Sequence, residues 1–506
     1  MGPIEIIFIF AGFLGLLIYV FLIYNFNYWK KRGVEGPQPR LLFGNFPSML
    51  TQSRHIIYDV NDIYREYKSK ERFVGVFALR TPQLVVLDPK LCQEILVSNF
   101  QSFHDNQFAR MIHKDLDPVI ALNPFILTGS EWKDKRAEIT PALTPNRIKA
   151  SYPIMQKVCT RMTEYLDVET LKPVESGLNA KELATKFTTE VVANCVYGFE
   201  AEAFEDDECQ IRERGTKLIN QSFGTQLYFV LAAFLPNITN IYRLQLVKPE
   251  SEKFFTDLME TAIQLRKETK SDRIDFLNYL LQLQEKKHLS TLEMAAHTMT
   301  FFLDGFETSS VLISNCLHLL ADHRDIQQKL RDEINYAFTS KGGLSYEKLL
   351  DLSYLDQCIN ETLRLRTPFP SGNKLCTESC EIRTNKGKII NLEKSTVVML
   401  PYDCFHHDPE YYPDPERFDP ERFSPENGGV KKYKDMGVFL PFGDGPRICL
   451  GMKFALCQSK AAVAEIIRNW EIAVNPQTKP EFVIDPKQFL YVPEGGTWLN
   501  FRRITS

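Results

Sequence analysis

The chain has 506 residues, 44% of them hydrophobic and 25% charged, which is globular composition and excludes a disordered or low-complexity protein. Lys and Arg number 60 against 64 Asp and Glu, a net charge of −4. That balance lacks the basic excess of a phosphate-binding surface, so no nucleic-acid partner is expected. Eleven cysteines, an odd count without a repeated CxxC spacing, argue for reduced thiols, most of them small core residues.

The first element is an uncharged run of nineteen residues, Ile6 to Tyr24. As a helix it spans roughly 28 Å, the hydrocarbon thickness of a bilayer. Lys30, Lys31 and Arg32 follow it, which predicts a single-pass anchor with the globular part on the cytosolic face. A cleaved signal peptide would need a basic start, a shorter apolar region and a small-residue cleavage site, and none is present. Tyr24, Tyr28 and Trp29 suit the membrane interface. Gly36-Pro37-Gln38-Pro39 and Gly44-Asn45-Phe46-Pro47 read as a semi-rigid connector. The expected organisation is an anchor over 1–29, a basic, proline-rich connector over 30–47 and a globular domain over 48–506. Length alone favours more domains, but no linker divides the body.

Phe73 to Leu87 alternates and predicts a hairpin broken at Thr81-Pro82. From about Pro89 to Leu365 the pattern is mostly helical, as at Met155 and again from Ala295. A further helix is expected from Phe454 to Trp470, with strand-like pieces at Glu481 to Ile484 and Thr497 to Phe501. The fold class is mainly α with a small β portion. Leu227 to Leu235 is a second apolar stretch, too short to span a bilayer; it reads as a core helix or as a patch dipping into the membrane surface.

The segment with most chemistry is Phe442-Gly443-Asp444-Gly445-Pro446-Arg447-Ile448-Cys449-Leu450-Gly451. Glycines four before and two after Cys449 allow a tight loop that approaches something flat or bulky. They also leave backbone N–H groups free to point at the sulfur, and a helix starting at Met452 adds a positive dipole end. Arg447 is placed to meet an anionic group. One cysteine cannot make a structural zinc site, which needs four ligands, but it suffices for one axial position of a haem iron. The bland alternative is a glycine-rich turn around a buried thiol.

The whole string resembles the haem-binding loop of the cytochromes P-450, F-x-x-G-x-x-x-C-x-G, at every fixed position. Other segments extend the resemblance over nearly the whole chain. Glu361-Thr362-Leu363-Arg364 is similar to the family's E-x-x-R; i and i+3 share a helix face, and alone the pair would be a surface bridge worth under about 1 kcal/mol. In the family it locks to an arginine of a P-E-R-F segment. Arg422 is favoured over Arg417 for that role. Asp304-Gly305-Phe306-Glu307-Thr308 resembles the oxygen-activation motif, [A/G]-G-x-[D/E]-T, except at its first position, Asp304. Glycine and consecutive hydroxyls weaken that helix, which either opens for a polar ligand or bonds its hydroxyls back to its own carbonyls. Trp132-Lys133-Asp134-Lys135-Arg136 matches W-x-x-x-R, and Lys374 stands where relatives carry a further arginine. Pro446-Arg447 and the E-T-S-S after Phe306 look most like insect microsomal members near the drug-metabolising branch.

The resemblance implies the cytochrome P-450 fold and haem b, with Cys449 as the iron ligand. Trp132, Arg136, Lys374 and Arg447 would face the haem propionates, and Phe442 and Gly451 would shape the loop. Thr308 would hydrogen-bond dioxygen, Glu307 would relay protons, and Asp304 would face haem and substrate. Asp304 is open to three fates: a silent turn toward backbone, a contact to a cationic or hydroxylated substrate, or an ester to a haem methyl. The implied reaction is oxygen insertion into a hydrophobic small molecule at the endoplasmic reticulum membrane. Electrons would come from NADPH through a flavoprotein reductase, with cytochrome b5 as a further partner. Lys133, Lys135, Lys431, Lys432, Lys434 and Lys453 are the candidate docking cations. Pocket residues are expected within Ser102 to Phe125, Phe223 to Leu235, Thr367 to Ser371 and Glu494 to Trp498. An electron-independent isomerase tends to lack the Glu307-Thr308 pair. A membrane haem sensor or carrier would consume no NADPH, and a metal hydrolase on His406-His407-Asp408 lacks H-E-x-x-H, so that segment reads as a solvated turn.

Overall fold

The computed structural model describes residues 2–172, 176–205, 209–219, 223–234, 238–269, 273–338 and 344–504. Helices dominate, as composition and periodicity predict. Two compact units are present, one built from Met1–Met111, Ser222–Leu244 and Ser371–Cys404, the other from Ile112–Gln221, Gln245–Pro370 and Phe405–Ser506. Each draws on three separated stretches, which is why no linker shows in the sequence.

The first unit starts with the apolar helix Pro3–Ile23, which buries none of its residues and is long and apolar enough to cross a membrane. Trp29 does not sit at an interface. It is buried against Gly75 and Val76, where its Nε1–H donates to the Val76 carbonyl at 3.0 Å, and a Cβ at Gly75 would collide with the indole ring. Strands β1 (Phe73–Ala78) and β2 (Thr81–Val86) form the expected hairpin. The turn falls earlier than expected, with Leu79 at a φ of 58°. Pro82 lies inside β2 opposite Phe77, tolerated because the parallel pairing of β2 with β8 (Val397–Leu400) begins only at Gln83. With β3 (Asp105–Asn106) and β5 (Gly372–Leu375) they make a sheet of order β1-β2-β8-β5-β3. Lys374, on β5, is buried and pairs opposite Asn106 and Val398. Strands β6 (Cys380–Arg383) and β7 (Ile389–Leu392) form a separate hairpin. In the helix Phe223–Phe234, Tyr228 and Ala232 are buried while Leu227 is exposed; Leu235 lies outside the described residues.

The second unit is organised by the helix Thr291–Asp322. Ser290 caps it: its Oγ accepts from the Glu293 N–H while the Glu293 carboxylate accepts from the Ser290 N–H. The helix packs on Ala180–Val196, itself almost wholly buried, and on Pro249–Thr269 and Met452–Asn469. Met294, Met299, Phe302 and Phe306 from its core face join Val192, Phe255 and Leu280, each removing apolar area from water at roughly 25 cal/mol per Å². A three-stranded sheet, β4 (Leu178–Asn179), β10 (Trp498–Arg503) and β9 (Trp470–Val474), closes the unit. Trp470 begins β9 and does not end the preceding helix. Glu481 to Ile484 is not a strand; only Ile484 makes an isolated bridge, to Pro493.

Candidate active site

The cysteine loop is set by its own backbone. Gly443 and Gly445 have φ of 68° and 70°, the left-handed region that glycine enters without strain, and the Cys449 N–H closes the loop on the Phe442 carbonyl at 2.9 Å. The Gly451 and Met452 N–H groups, at the start of Met452–Asn469, donate to the Cys449 sulfur. A Cβ at Gly443 or Gly451 would meet nothing within 4 Å.

Cys449 and Asp304 each present accessible surface, yet burial raises the pKa of both, to about 11 and about 7. Surface that is accessible while protein surrounds it faces an internal hollow. The two groups are close enough to interact: the Asp304 carboxylate pushes the thiol up, whereas the two N–H donors and Arg136 push it down. Asp304 also accepts a hydrogen bond from the Asn123 side chain. Asn123 in turn organises its loop, with Oδ1 accepting from the Phe125 N–H at 2.7 Å.

Trp132 and Arg136, one helical turn apart on Gly129–Ile139, meet Arg447 at the loop. Arg447 lies over the Trp132 ring, 4.3 Å from its centroid, and donates to the Pro124 and Leu127 carbonyls. Arg136 donates to the Ile448 carbonyl at 2.7 Å. Sequence thus brought Trp132, Arg136, Arg447, Phe442, Gly451, Cys449 and Asp304 to one place. Lys374 is in the other unit.

Behind the loop, Glu361 and Arg364 on Ser353–Leu365 form a fully buried pair at 2.7 and 2.8 Å, not a surface bridge. Arg422 supplies the third member: its Nε donates to Glu361 Oε1 at 3.3 Å, while Arg417 contributes only its carbonyl, to Arg364. The network reaches His406, whose carbonyl accepts from Arg364 at 2.7 Å and whose Nε2 accepts from the Leu440 N–H at 3.0 Å. His406 and Asp408 are buried, so this segment is no solvated turn; it is the strut that holds Leu440 at the entry to the cysteine loop. Nothing in H-H-D-P marks that role, because these bonds run to residues distant in sequence.

Across the hollow, the Thr291–Asp322 helix stays continuous, with its hydroxyls bonded to its own carbonyls: Thr308 Oγ1 to Asp304 at 2.6 Å and Ser310 Oγ to Glu307 at 2.8 Å. The Gly305 carbonyl also accepts from Gln458, which donates to Ser309 as well and so ties this helix to the one that follows Cys449. Glu307 makes a 2.9 Å ion pair with Lys181, whose ammonium also bonds Thr185. Of the expected docking cations, Lys135 is occupied by Glu293 and Glu138 and Lys431 by Asp435, whereas Lys133, Lys432 and Lys453 are exposed.

A single sulfur at a helix start, two guanidinium groups beside a tryptophan and glycines that leave open space fit a flat, anionic cofactor with one protein ligand to its metal; among the described residues no cluster of His, Cys, Asp or Glu would hold a metal by itself. This defines a haem-thiolate protein. The chain belongs to the cytochrome P450 family, whose model matches residues 34–500. It is 45% identical to Probable cytochrome P450 28d1 of Drosophila melanogaster over 99% of both chains. It is 43% identical to Probable cytochrome P450 28a5 of the same fly, over 96% of this chain and 97% of the relative. Cytochrome P450 6j1 of Blattella germanica shares 33% over 97% and 96%. The protein is therefore a monooxygenase with a haem-thiolate cofactor.

Proposed function

We propose that this chain inserts one oxygen atom of O2 into a hydrophobic small molecule, RH + O2 + two electrons + two protons giving ROH + water. Its electrons come from NADPH through a flavoprotein reductase, with cytochrome b5 as a second donor. The chain is held on the cytosolic face of the endoplasmic reticulum by residues 1–29, the connector 30–47 leads into the catalytic domain 48–506, and the substrate is a lipophilic xenobiotic or endogenous compound. The observation that carries the reading is Cys449, with two backbone N–H groups aimed at its sulfur and its surface turned into the hollow.

Cys449 supplies the thiolate: burial alone keeps its proton on, and a coordinated metal cation reverses that balance. Haem supplies the oxidation chemistry when bound. Trp132, Arg136 and Arg447 hold its carboxylates; Phe442 and Gly451 shape its seat. Thr308 exchanges its bond to the Asp304 carbonyl for one to the oxygen substrate, and Glu307 moves protons once released from Lys181. Asp304 and Asn123 offer a polar point for an amine or hydroxyl of the substrate. Lys133, Lys432 and Lys453 dock the acidic reductase.

The reduced protein with carbon monoxide is expected to show the red-shifted Soret band of a thiolate-ligated haem, and Cys449→Ser to abolish it. NADPH consumption with reconstituted reductase separates the enzyme from a haem sensor, which consumes none. Lys432→Glu with Lys453→Glu should slow haem reduction, increasingly so at low salt, and leave substrate binding unchanged. Unchanged reduction kinetics would overturn the docking surface.

A further inference from the structure

Of the eleven cysteines nine are buried and Cys449 opens into the hollow, which leaves Cys380 as the half-exposed thiol. It has a thiol neighbour. Cys376 follows β5 and Cys380 opens β6. The Cys376 N–H donates to the Thr396 carbonyl at 2.8 Å and its own carbonyl accepts from Ser395 at 2.7 Å, which fixes its backbone. Its Sγ lies 3.0 Å from the Glu378 oxygen and 4.0 Å from the Leu392 oxygen, and Leu392 is the residue that pairs opposite Cys380. The two thiols therefore converge and hydrogen-bond to each other, and the Ser102 hydroxyl bonds Cys380 as well. Thr377 anchors the intervening turn to the same segment, its N–H on Ser102 and its hydroxyl on Gln101.

We propose that Cys376 and Cys380 form a peroxide-sensitive dithiol that closes reversibly to a disulfide. The Cys380 thiolate attacks one oxygen of hydrogen peroxide, the O–O bond breaks, and Cys380 becomes a sulfenic acid as hydroxide leaves and takes up the thiol proton. The Cys376 sulfur then attacks the Cys380 sulfur, its proton goes to the departing hydroxyl, and water leaves. Both thiols are oxidised and peroxide is reduced, 2 RSH + H2O2 giving RSSR + 2 H2O. The division of labour follows from the shared hydrogen bond: donation from Cys376 and Ser102 holds Cys380 below the usual thiol range, while Cys376 is pushed well above it. Exposure and thiolate character coincide at Cys380, and the resolving thiol is already in place. The other buried cysteines with shifted pKa values, such as Cys195, Cys316 and Cys457, are pushed up by burial and have no such access.

Trypsin places both cysteines in one peptide, Leu375 to Arg383, since Lys374 precedes it. Reduced full-length protein would be exposed to hydrogen peroxide, alkylated and digested. This peptide is expected to come out two hydrogens lighter and unalkylated before any other cysteine reacts, and to return to the doubly alkylated form after dithiothreitol. In Cys376→Ser the sulfenic acid has no partner, so a sulfenic-acid-trapping dione should mark Cys380. A peptide that stays doubly alkylated while other cysteines oxidise, or that gains oxygen without losing two hydrogens, would overturn the proposal.

Discussion

Two kinds of enclosed carboxylate lie in the second unit, and they are treated in opposite ways. Behind the cysteine loop, Glu361 is enclosed but meets two guanidinium groups and the Asp419 N–H. On the other side, Asp117, Glu252 and Asp304 bond chiefly to amide N–H groups: Asp117 to Leu246 and Val247, Glu252 to Val119, Asp304 to the Asn123 side chain. Burial dominates there, and all three are raised, Glu252 and Asp304 to about 7. A carboxylate paired with cations is locked in one geometry, as a fixed ligand loop requires. Carboxylates held by neutral donors can change protonation and partners.

The comparison is broken most severely at Glu361. Glu361→Ala strands two buried guanidinium groups, and loss of one partner from a buried pair costs about 3–5 kcal/mol. Urea unfolding should show that loss together with a lower haem content, because Arg364 also holds the His406 carbonyl and, through it, the approach to Cys449. Stability within about 1 kcal/mol of the parent would mean that the network is not what positions the loop.

A smaller effect is expected at Asp304. If its carboxylate is a polar contact for substrate, Asp304→Ala should weaken spectral binding of amine or hydroxyl compounds by the value of one hydrogen bond to a charged group, about 1.5–3 kcal/mol. Purely apolar compounds should bind as before. Equal affinity across both classes would leave Asp304 as a contact of Asn123 alone. Haem that is freely extracted under denaturing conditions would exclude an ester.

Much of this site was legible because its parts lie close together in sequence. The cysteine loop and W-x-x-x-R are each a single turn of backbone, so spacing carries their geometry. Arg422 was reachable because only two P-E-R-F segments exist. His406, Asn123, Gln458 and Lys181 were not legible, since each acts through bonds to residues far along the chain and has no periodic signature. Trp29 misled for a related reason: a tryptophan beside an apolar helix suits an interface, and only Gly75 on β1, across the fold, reveals the slot it fills. Sheet order escaped because β2 finds its parallel partner β8 some three hundred residues later.

The mildest test lies at Glu252. Its carboxyl is ordinarily near 4.5 and stands at about 7 in the fold, chiefly through burial, with Asp117 adding repulsion and the Val119 N–H opposing both. Between those values the folded chain keeps a proton that the unfolded chain has released. Folding stability from this group is therefore complete below about pH 4.5 and falls as pH rises through 7. Glu252→Gln retains an acceptor for Val119 and removes the titration. The parent should lose stability relative to Glu252→Gln between pH 5 and 8, by on the order of 1 kcal/mol once solvent screening is allowed for. Parallel unfolding midpoints for the two proteins across that range would show that Glu252 is already ionised in the fold.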